Sequence, residues 1–480
     1  MIIKDGVVIW GTGNATDKVV QYMCKKRIPI LYFVDSNPNK WGEYYDDKLI
    51  KRPIELIKEP RSVVIIIASD KYFFEIQTQL VDLGIYYRNK CIRFEEFVVG
   101  IEKTLHKVKP ISLTKANNTI ISILYDPQIF SDRNNGGISR YFYENITRIA
   151  TKKDTAVTFF EGIHDSDYRF EKHKKNYCNY YGQRNHYLSF QQRGALNAKL
   201  FCNYVALKEC FDIYHPTYYR EYGILNYNKM VLTVHDMIHE IFFPESFEVK
   251  RKENLIHKAD MIVAVSENTK KDLINILGVD EKKIRVIYEG NSLNYKVDDE
   301  PVIPSDYVLY VGSRNAYKNA NLLISAFAKS KIHRDILLVF VGGGNFTDAE
   351  KELIHELKIE NSVMHIDADD ETLANLYNYA KFFVYPSKYE GFGIPILEAM
   401  HYKTPVITSD ASSTKEVAGD AAMLFDADSE ESLIYSLEKM AGDSVIRKHY
   451  IEKGIIREKD FSWDKCADEI YRLYKEVQGY

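Results

Sequence analysis

Two glutamates, Glu390 and Glu398, bracket seven residues that are apolar, glycine or proline in "YEGFGIPILEAM" at 389–400. Carboxylates are costly to bury without partners, so a pair at the edge of an apolar segment suggests ligand contacts. The preceding run, "AKFFVYPS" at 380–387, reads as a buried strand. "KYEGFG" reads as a turn whose glycines allow close backbone approach, and Pro395 suits the first turn of a following helix. This order places Glu390 at the carboxyl end of a strand and Glu398 about one turn into the helix, both facing the crevice where doubly wound sheets bind ligands. The amides of Gly391, Phe392 and Gly393, together with the helix start, would attract an anion such as phosphate. Acceptors for hydroxyls beside donors for phosphate suit a sugar nucleotide.

The cationic complement lies upstream, in "VLYVGSRNAYKNANLLISAF" at 308–327, which reads strand, loop, helix. The loop carries Arg314 and Lys318. Cations fixed there would stabilise a diphosphate leaving group as its negative charge develops. His235 ends another strand in "VLTVHDMIHEIFFPESF", and Gly136 and Gly137 open a helix in "RNNGGISRYFYENI". Both are crevice positions of a second unit.

These side chains need parallel sheets to position them. Apolar runs recur at 6–11, 62–69, 119–126, 228–236, 259–266, 306–313, 335–343, 380–387 and 403–410, each followed by a segment of helical spacing. Such runs suit strands covered on both faces, and their alternation with helices predicts α/β units with doubly wound parallel sheets. Polar stretches at 104–118 and 291–304 read as linkers. They leave units of about 1–103, 119–290 and 305–480.

The first unit opens "VIWGTGNATDKVVQYM". Gly11 and Gly13 fill two places of a dinucleotide fingerprint, and Thr16 stands in the third. Asp35 ends the next strand, where an acidic residue meets a ribose hydroxyl in dinucleotide folds. This is a candidate N-terminal nucleotide site on a Rossmann-like frame, or a frame used for assembly. "FVDSNPNKWG" at 33–42 resembles the small nucleotide-binding domains that accompany bacterial sugar-modifying enzymes.

The 480 residues carry a net charge of −4 with no long run of one sign, which argues against nucleic acid as a partner. Six cysteines, Cys24, Cys91, Cys178, Cys202, Cys210 and Cys466, are scattered with no C-x-x-C pair and read as reduced thiols of a cytoplasmic protein. No stretch has the apolar length needed to span a bilayer. "FQQRGALNAKLFCNYVALKEC" at 190–210 mixes aromatic and basic residues and could touch a membrane peripherally, but a packed core helix is the preferred reading.

From about 119 onward the chain resembles the retaining family-4 glycosyltransferases of GT-B fold. The resemblance is carried in order by "GGISRY", "TVHDMI…FPE", "ADMIVAVSENTKKDL", "VGSRNAYKN", "LYNYAKFFVYPSKYEGFGIPILEAM" and "TPVITSDASSTKEVAGDAAMLFD". "FSWDKCADEIYRLY" resembles the terminal helix that crosses back to the first GT-B half. It implies an acceptor-side domain at 119–290, a donor domain at 305–460 and a crossing helix at 461–480. It also implies that Glu390 binds donor-sugar hydroxyls near the reacting carbon, Glu398 the ribose, and Arg314 and Lys318 the diphosphate. His235 would lie near donor sugar and acceptor, with Gly136 and Gly137 approaching the phosphates. Glu416 has no assigned role. Where the family often has glycine, this chain has Lys403, and it departs again near Asp367, where the base is expected.

The function expected is transfer from a nucleotide-diphosphate sugar to a hydroxyl of a glycan or lipid-linked glycan, with retention, in bacterial surface polysaccharide synthesis. No cofactor or metal is required on this reading: "DADD" at 367–370 reads as a loop and helix cap rather than a D-x-D metal site. Two rivals are weighed. A glycoside hydrolase could use Glu390 and Glu398 as its acid pair, but it has no need of Arg314 and Lys318. A catalytically silent sugar-nucleotide-binding or assembly protein, homo-oligomers included, would not need the full set of His235, Arg314, Lys318, Glu390 and Glu398. Since each unit carries its own core pattern, removal of 1–103 is expected to leave the rest folded.

Overall fold

The structure is a computed structural model. It describes residues 6–479 except 14, 61, 70–71, 86–89, 102–119, 133–135, 167, 169, 171–178, 185–186, 205–209 and 224–225. The 104–118 linker and Cys178 lie outside the described residues.

Three sheets follow one another along the chain. The first comprises β1 (Val7–Trp10), β2 (Ile30–Val34), β3 (Tyr44–Tyr45), β4 (Lys48–Lys51), β5 (Val64–Ile67) and β6 (Lys90–Arg93), in the order β3-β4-β2-β1-β5-β6. Only its short β3–β4 pair is antiparallel. The second comprises β7 (Ile121–Tyr125), β8 (Thr155–His164), β9 (Asn179–Arg184), β10 (Phe211–His215), β11 (Tyr227–Val234), β12 (Met261–Ala264) and β13 (Ile284–Val286), in the order β13-β12-β11-β10-β7-β8-β9. The third comprises β14 (Tyr307–Val311), β15 (Leu337–Val341), β16 (Val363–Ile366), β17 (Phe382–Tyr385), β18 (Val406–Ser409) and β19 (Ala422–Phe425), in the order β16-β15-β14-β17-β18-β19. All nine apolar runs form strands. In the first and third sheets the opening strand has neighbours reached by crossovers in opposite directions, which makes a switch point at its carboxyl end.

β8 is ten residues long and wholly buried although its sequence, "TAVTFFEGIH", is not a continuous apolar run. Its ladder slips at Gly162. There the amide of Asn197 plugs the irregularity, with Oδ1 accepting from Ile163 N at 2.7 Å and Nδ2 donating to Ile163 O at 2.9 Å. Gly162 has φ +72, and a Cβ there would meet the Asn197 amide at 2.5 Å. Asn197 belongs to the helix Phe190–Tyr204, whose Arg193 is also buried and donates to Leu188 O. That helix is a packed one.

The helix Trp463–Gln478 packs across Gly137–Ile149 and puts Trp463, Ile470 and Tyr474 into the core of the second sheet's unit. Burying each such side chain contributes roughly 1.5–3 kcal/mol. Tyr474 Oη shares a hydrogen bond with Tyr125 Oη at 2.8 Å and lies 2.5 Å from His215 Nδ1. Gly290 admits the crossing chain: a Cβ there would stand 2.4 Å from Trp463 N.

The first unit is not free-standing. Tyr22, Phe94, Phe97 and Val98 share one apolar cluster with Ile163 and Leu188 of the second unit. The Tyr22 and Tyr187 rings meet edge to face at 5.3 Å. Removal of 1–103, expected to leave the rest folded, would expose this shared core to water.

Candidate active site

Glu390 and Lys318 leave neighbouring strands. Lys318 ends a short 3-10 turn after β14, and Glu390 lies in the loop after β17, so both meet at the third sheet's switch point. The Lys318 ammonium donates to both carboxylate oxygens of Glu390, at 2.6 and 2.7 Å. The loop is held by two serines that the sequence reading did not single out. Ser412 Oγ accepts from Glu390 N at 2.9 Å, and Ser413 Oγ donates to Glu390 O and Phe392 O at 2.9 Å each. Their signal was the "SDASS" that follows β18, a strand end adjacent to β17.

Gly391 sits against the second unit. A Cβ on it would stand 1.6 Å from His235 O and 3.0 Å from Asp236 Cβ. Thr269 Oγ1 also donates to Gly391 O at 3.3 Å. Thus His235, at the end of β11, and the Glu390 loop are brought together across the two units. His235 is buried between Tyr141 and Phe142, with ring centroids at 4.8 and 5.9 Å. Its Nδ1 faces Glu289 Oε1 at 3.4 Å, while its Nε2 has no partner among the described residues. A buried ring nitrogen left unpaired is available to a ligand. Glu289 is another residue the sequence did not single out; its position in "YEG" gave no spacing cue. Beneath the His235 loop, fully buried Lys252 donates to Asp236 O at 2.9 Å and to Glu240 Oε2 at 2.8 Å.

Glu398 lies within the helix Ile394–His401, which starts at Gly393 (φ +118) without a side-chain cap. Tyr377 Oη donates to Glu398 Oε2 at 3.0 Å. Burial raises the carboxyl's pKa, and the nearby Arg140 and Tyr377 only partly offset it. Arg140, from the "GGISRY" helix, spans the units: it donates to Asp370 Oδ2 at 2.9 Å and to Ser292 Oγ at 3.1 Å. A Cβ on Gly137, on the same helix, would stand 3.8 Å from Ile394 Cδ1 in the facing unit, and one on Gly136 would meet open space.

Arg314, expected to meet the diphosphate, is engaged within its own unit. Its guanidinium donates to Glu350 Oε1 at 2.7 Å and to the carbonyls of Gly342, Gly344 and Asn345 at 2.7–2.9 Å. Four of its five N–H donors are therefore committed to bracing a loop. In "DADD", Asp369 caps the helix Asp370–Tyr379 by accepting from Thr372 N, as read. Glu416 acquires a contact: its two oxygens accept from Glu267 N and Asn268 N, at the start of the helix Glu267–Leu277 in the facing unit.

Asp35, expected to meet a ribose hydroxyl, is likewise engaged within its own unit. One oxygen accepts from Asn37 N at 2.9 Å; the other accepts from Thr12 N at 3.2 Å, from Lys40 Nζ at 3.1 Å and from Thr12 Oγ1. Burial opposes its charge, but these contacts outweigh it and hold the pKa below the ordinary value. Oδ1 has Asn37 N as its one hydrogen-bond donor among the described residues, and Asp35 lines the cavity at this sheet's strand ends.

Two facing parallel-sheet units are the architecture of the GT-B fold, and the comparisons with known proteins agree. Residues 135–294 match the family model for Glycosyltransferase Family 4, and residues 299–457 match that for Glycosyl transferases group 1. Residues 3–92 match a model described as C2185-like, N-terminal. Among curated proteins, the chain is 28% identical over 295 residues to the O-antigen chain mannosyltransferase B of Escherichia coli, covering 56% of this chain and 76% of that one. It is 31% identical over 222 residues to the N-acetylgalactosamine-N,N'-diacetylbacillosaminyl-diphospho-undecaprenol 4-alpha-N-acetylgalactosaminyltransferase of Campylobacter jejuni. That match covers 44% of this chain and 59% of the relative's length. Among solved structures, sucrose-phosphate synthase from Thermosynechococcus elongatus superposes with a TM-score of 0.60 at 19% identity, over 75% of this chain and 99% of that one. Anabaena HepE in complex with UDP and glucose superposes with a TM-score of 0.56 at 18% identity, over 74% and 100%. The chain is a glycosyltransferase of GT-B fold.

Proposed function

We propose that the chain transfers a sugar from a nucleotide-diphosphate sugar to a hydroxyl of a glycan or lipid-linked glycan, with retention, in bacterial surface polysaccharide synthesis. The observation that carries this reading is the Lys318–Glu390 contact at the switch point, set against His235 with its unpaired Nε2. One cation, one hydroxyl acceptor and one buried ring nitrogen converge where a donor's diphosphate, sugar and reacting carbon would lie.

In this scheme the unit at 119–290 serves the acceptor and that at 305–460 the donor. Lys318 moves from Glu390 to the diphosphate, with Arg314 adding its one uncommitted N–H. Glu390, released, accepts from sugar hydroxyls. The amides of Gly391, Phe392 and Gly393 meet phosphate, and Gly136 and Gly137 let it approach the second unit. Glu398 accepts from the ribose. His235 presents Nε2 to donor sugar and acceptor, with Glu289 facing Nδ1 to set its orientation. As the bond from the anomeric carbon to the diphosphate oxygen breaks, that oxygen, charge-stabilised by Lys318, takes the acceptor's proton and the acceptor oxygen bonds the same face of the sugar, which is what retention requires. Since the chain's own cation meets the diphosphate, no metal step is invoked.

The relatives support the substrate class: one is named for O-antigen mannosyl transfer, another for transfer to an undecaprenol-linked sugar, and HepE was solved with UDP and glucose. No helix among the described residues is long and apolar enough to cross a membrane, and we place the enzyme on the cytoplasmic side, where nucleotide sugars are available. The test is release of free nucleoside diphosphate from UDP- and GDP-sugars in the presence of a lipid-linked acceptor. Release only as free sugar, from a glycoside and without nucleotide, would make it a hydrolase; binding without release would make it a silent binder.

A further inference from the structure

The first unit holds a cavity of about 450 Å³ at the carboxyl ends of β1, β2 and β5, the switch point of that sheet. Trp10, Ala68 and Ile76 form an apolar wall, while the Gly11–Gly13 turn and Lys40 form a polar side. The volume lies within the range of small-molecule sites, which combine an apolar wall with a few placed polar groups. The Lys40 ammonium also touches Thr12 Oγ1 at 3.0 Å. It is the cation lining the cavity among the described residues, and it stands on the side where the helix Thr16–Lys26 begins without a side-chain cap. Asp35 and Glu75 also line the cavity, with Asp35 engaged by Asn37, Thr12 and Lys40. What it offers a nucleotide is an apolar side for the base and one cation for phosphate.

We propose that this cavity binds a nucleoside diphosphate, the class of molecule released by the transferase site under the function proposed above, on which this inference rests. Its phosphates take Lys40 from Asp35, and its base lies against the apolar side of the cavity. The same helix reports occupancy: its opposite face carries Tyr22 and Met23, buried in the core shared with Ile163 and Leu188, and Lys25 lies 5.7 Å from the Tyr187 ring centre. The site therefore senses product and passes its state to the acceptor-side unit.

The experiment titrates UDP and GDP into the full-length protein by calorimetry, beside Lys318→Ala, Lys40→Ala and Gly13→Val. A Cβ on Gly13 meets nothing within 4 Å and its φ is not left-handed, so valine there fills cavity space without a clash. The expected result is two equivalents bound by the wild type and one by Lys318→Ala or Gly13→Val. Lys40→Ala should weaken the cavity equivalent by about tenfold or more. Hydrogen exchange on Lys318→Ala with UDP should slow at 16–26 and at 187–200. One equivalent that survives Gly13→Val and disappears in Lys318→Ala overturns the cavity proposal and leaves the donor site intact. One equivalent that survives Lys318→Ala and disappears in Gly13→Val supports the cavity and overturns the donor assignment. Binding of NAD in place of either diphosphate, or UDP binding that leaves 187–200 unchanged, overturns the sensing role.

Discussion

Lys318 and Glu390 neutralise one another across adjacent strands, with the ammonium within 2.7 Å of both carboxylate oxygens. Both side chains are largely out of water, at 16% and 8% exposure. A pair so placed holds each partner oriented until a ligand carrying both an anion and hydroxyls replaces the contact. Separating the pair without such a ligand would leave each group buried and unpaired.

Glu390→Gln should lower turnover by about 10²-fold or more, because an oriented acceptor at the transition state is weakened. Circular dichroism should show the variant folded. Near-normal turnover at saturating donor would remove Glu390 from the site.

Lys318→Ala should weaken nucleoside diphosphate binding over nucleoside binding by roughly 1–3 kcal/mol, as loss of a charge-assisted contact. Arg314→Ala should behave differently. Its guanidinium braces Gly342–Asn345 and Glu350, so the larger loss should be in Tm, with a smaller gap between the two ligands. Calorimetry with UDP and uridine decides; an equal gap for both variants would mean that Arg314 turns to the phosphate when donor binds.

The frame of this site was legible because buried parallel strands announce themselves as apolar runs, and because glycine and proline mark the turn and helix start around Glu390. What was not legible were partners set by tertiary approach. Ser412, Ser413, Glu289 and Arg140 gain their roles from strand neighbours and from the facing unit, and no local spacing encodes that. Arg314 and Asp35 were correctly placed at strand ends, but charge type alone could not reveal that neighbouring carbonyls and Lys40 already occupy them. β8 was missed because Glu161, Gly162 and His164 interrupt its apolar pattern while Asn197 satisfies the backbone at the irregularity.

Gly391→Ala tests the approach of the two units. A methyl group 1.6 Å from His235 O cannot be accommodated without moving backbone on one side. The expected outcome is a folded protein whose donor-domain core is intact but whose turnover falls by about 10²-fold, since a displacement of roughly 1 Å suffices for that. Wild-type kinetics with unchanged small-angle scattering would show that the units need not meet at this contact for transfer.

Glu398→Gln tests the cost of burying a carboxylate. Burial raises the folded-state pKa, so the folded protein holds this proton more tightly than the unfolded chain does. The stability it contributes is complete below the unfolded value, about 4.3, and is lost as pH rises through the raised folded value. Glutamine should therefore raise Tm at pH 7–8, with the gain shrinking toward pH 4, while nucleotide binding weakens. A Tm difference independent of pH would contradict the assignment.

Removal of the first unit tests the shared core. A chain starting near residue 110 keeps the Glu390, Lys318 and His235 constellation but leaves Ile163, Leu188, Leu196 and Leu200 without the cover of Tyr22, Phe94, Phe97 and Val98. Exposed apolar patches of this kind drive association. The expected result is a protein that still binds nucleoside diphosphate but melts several degrees below full length and self-associates in light scattering. Replacing Leu188, Leu196 and Leu200 with polar residues in the truncated chain should restore a monodisperse species, because it removes the apolar surface without touching the donor site. A truncated chain that is monodisperse without those changes and melts with the full-length protein would show that the units are independent, and the relay proposed from the cavity to the acceptor-side unit would lose its physical path.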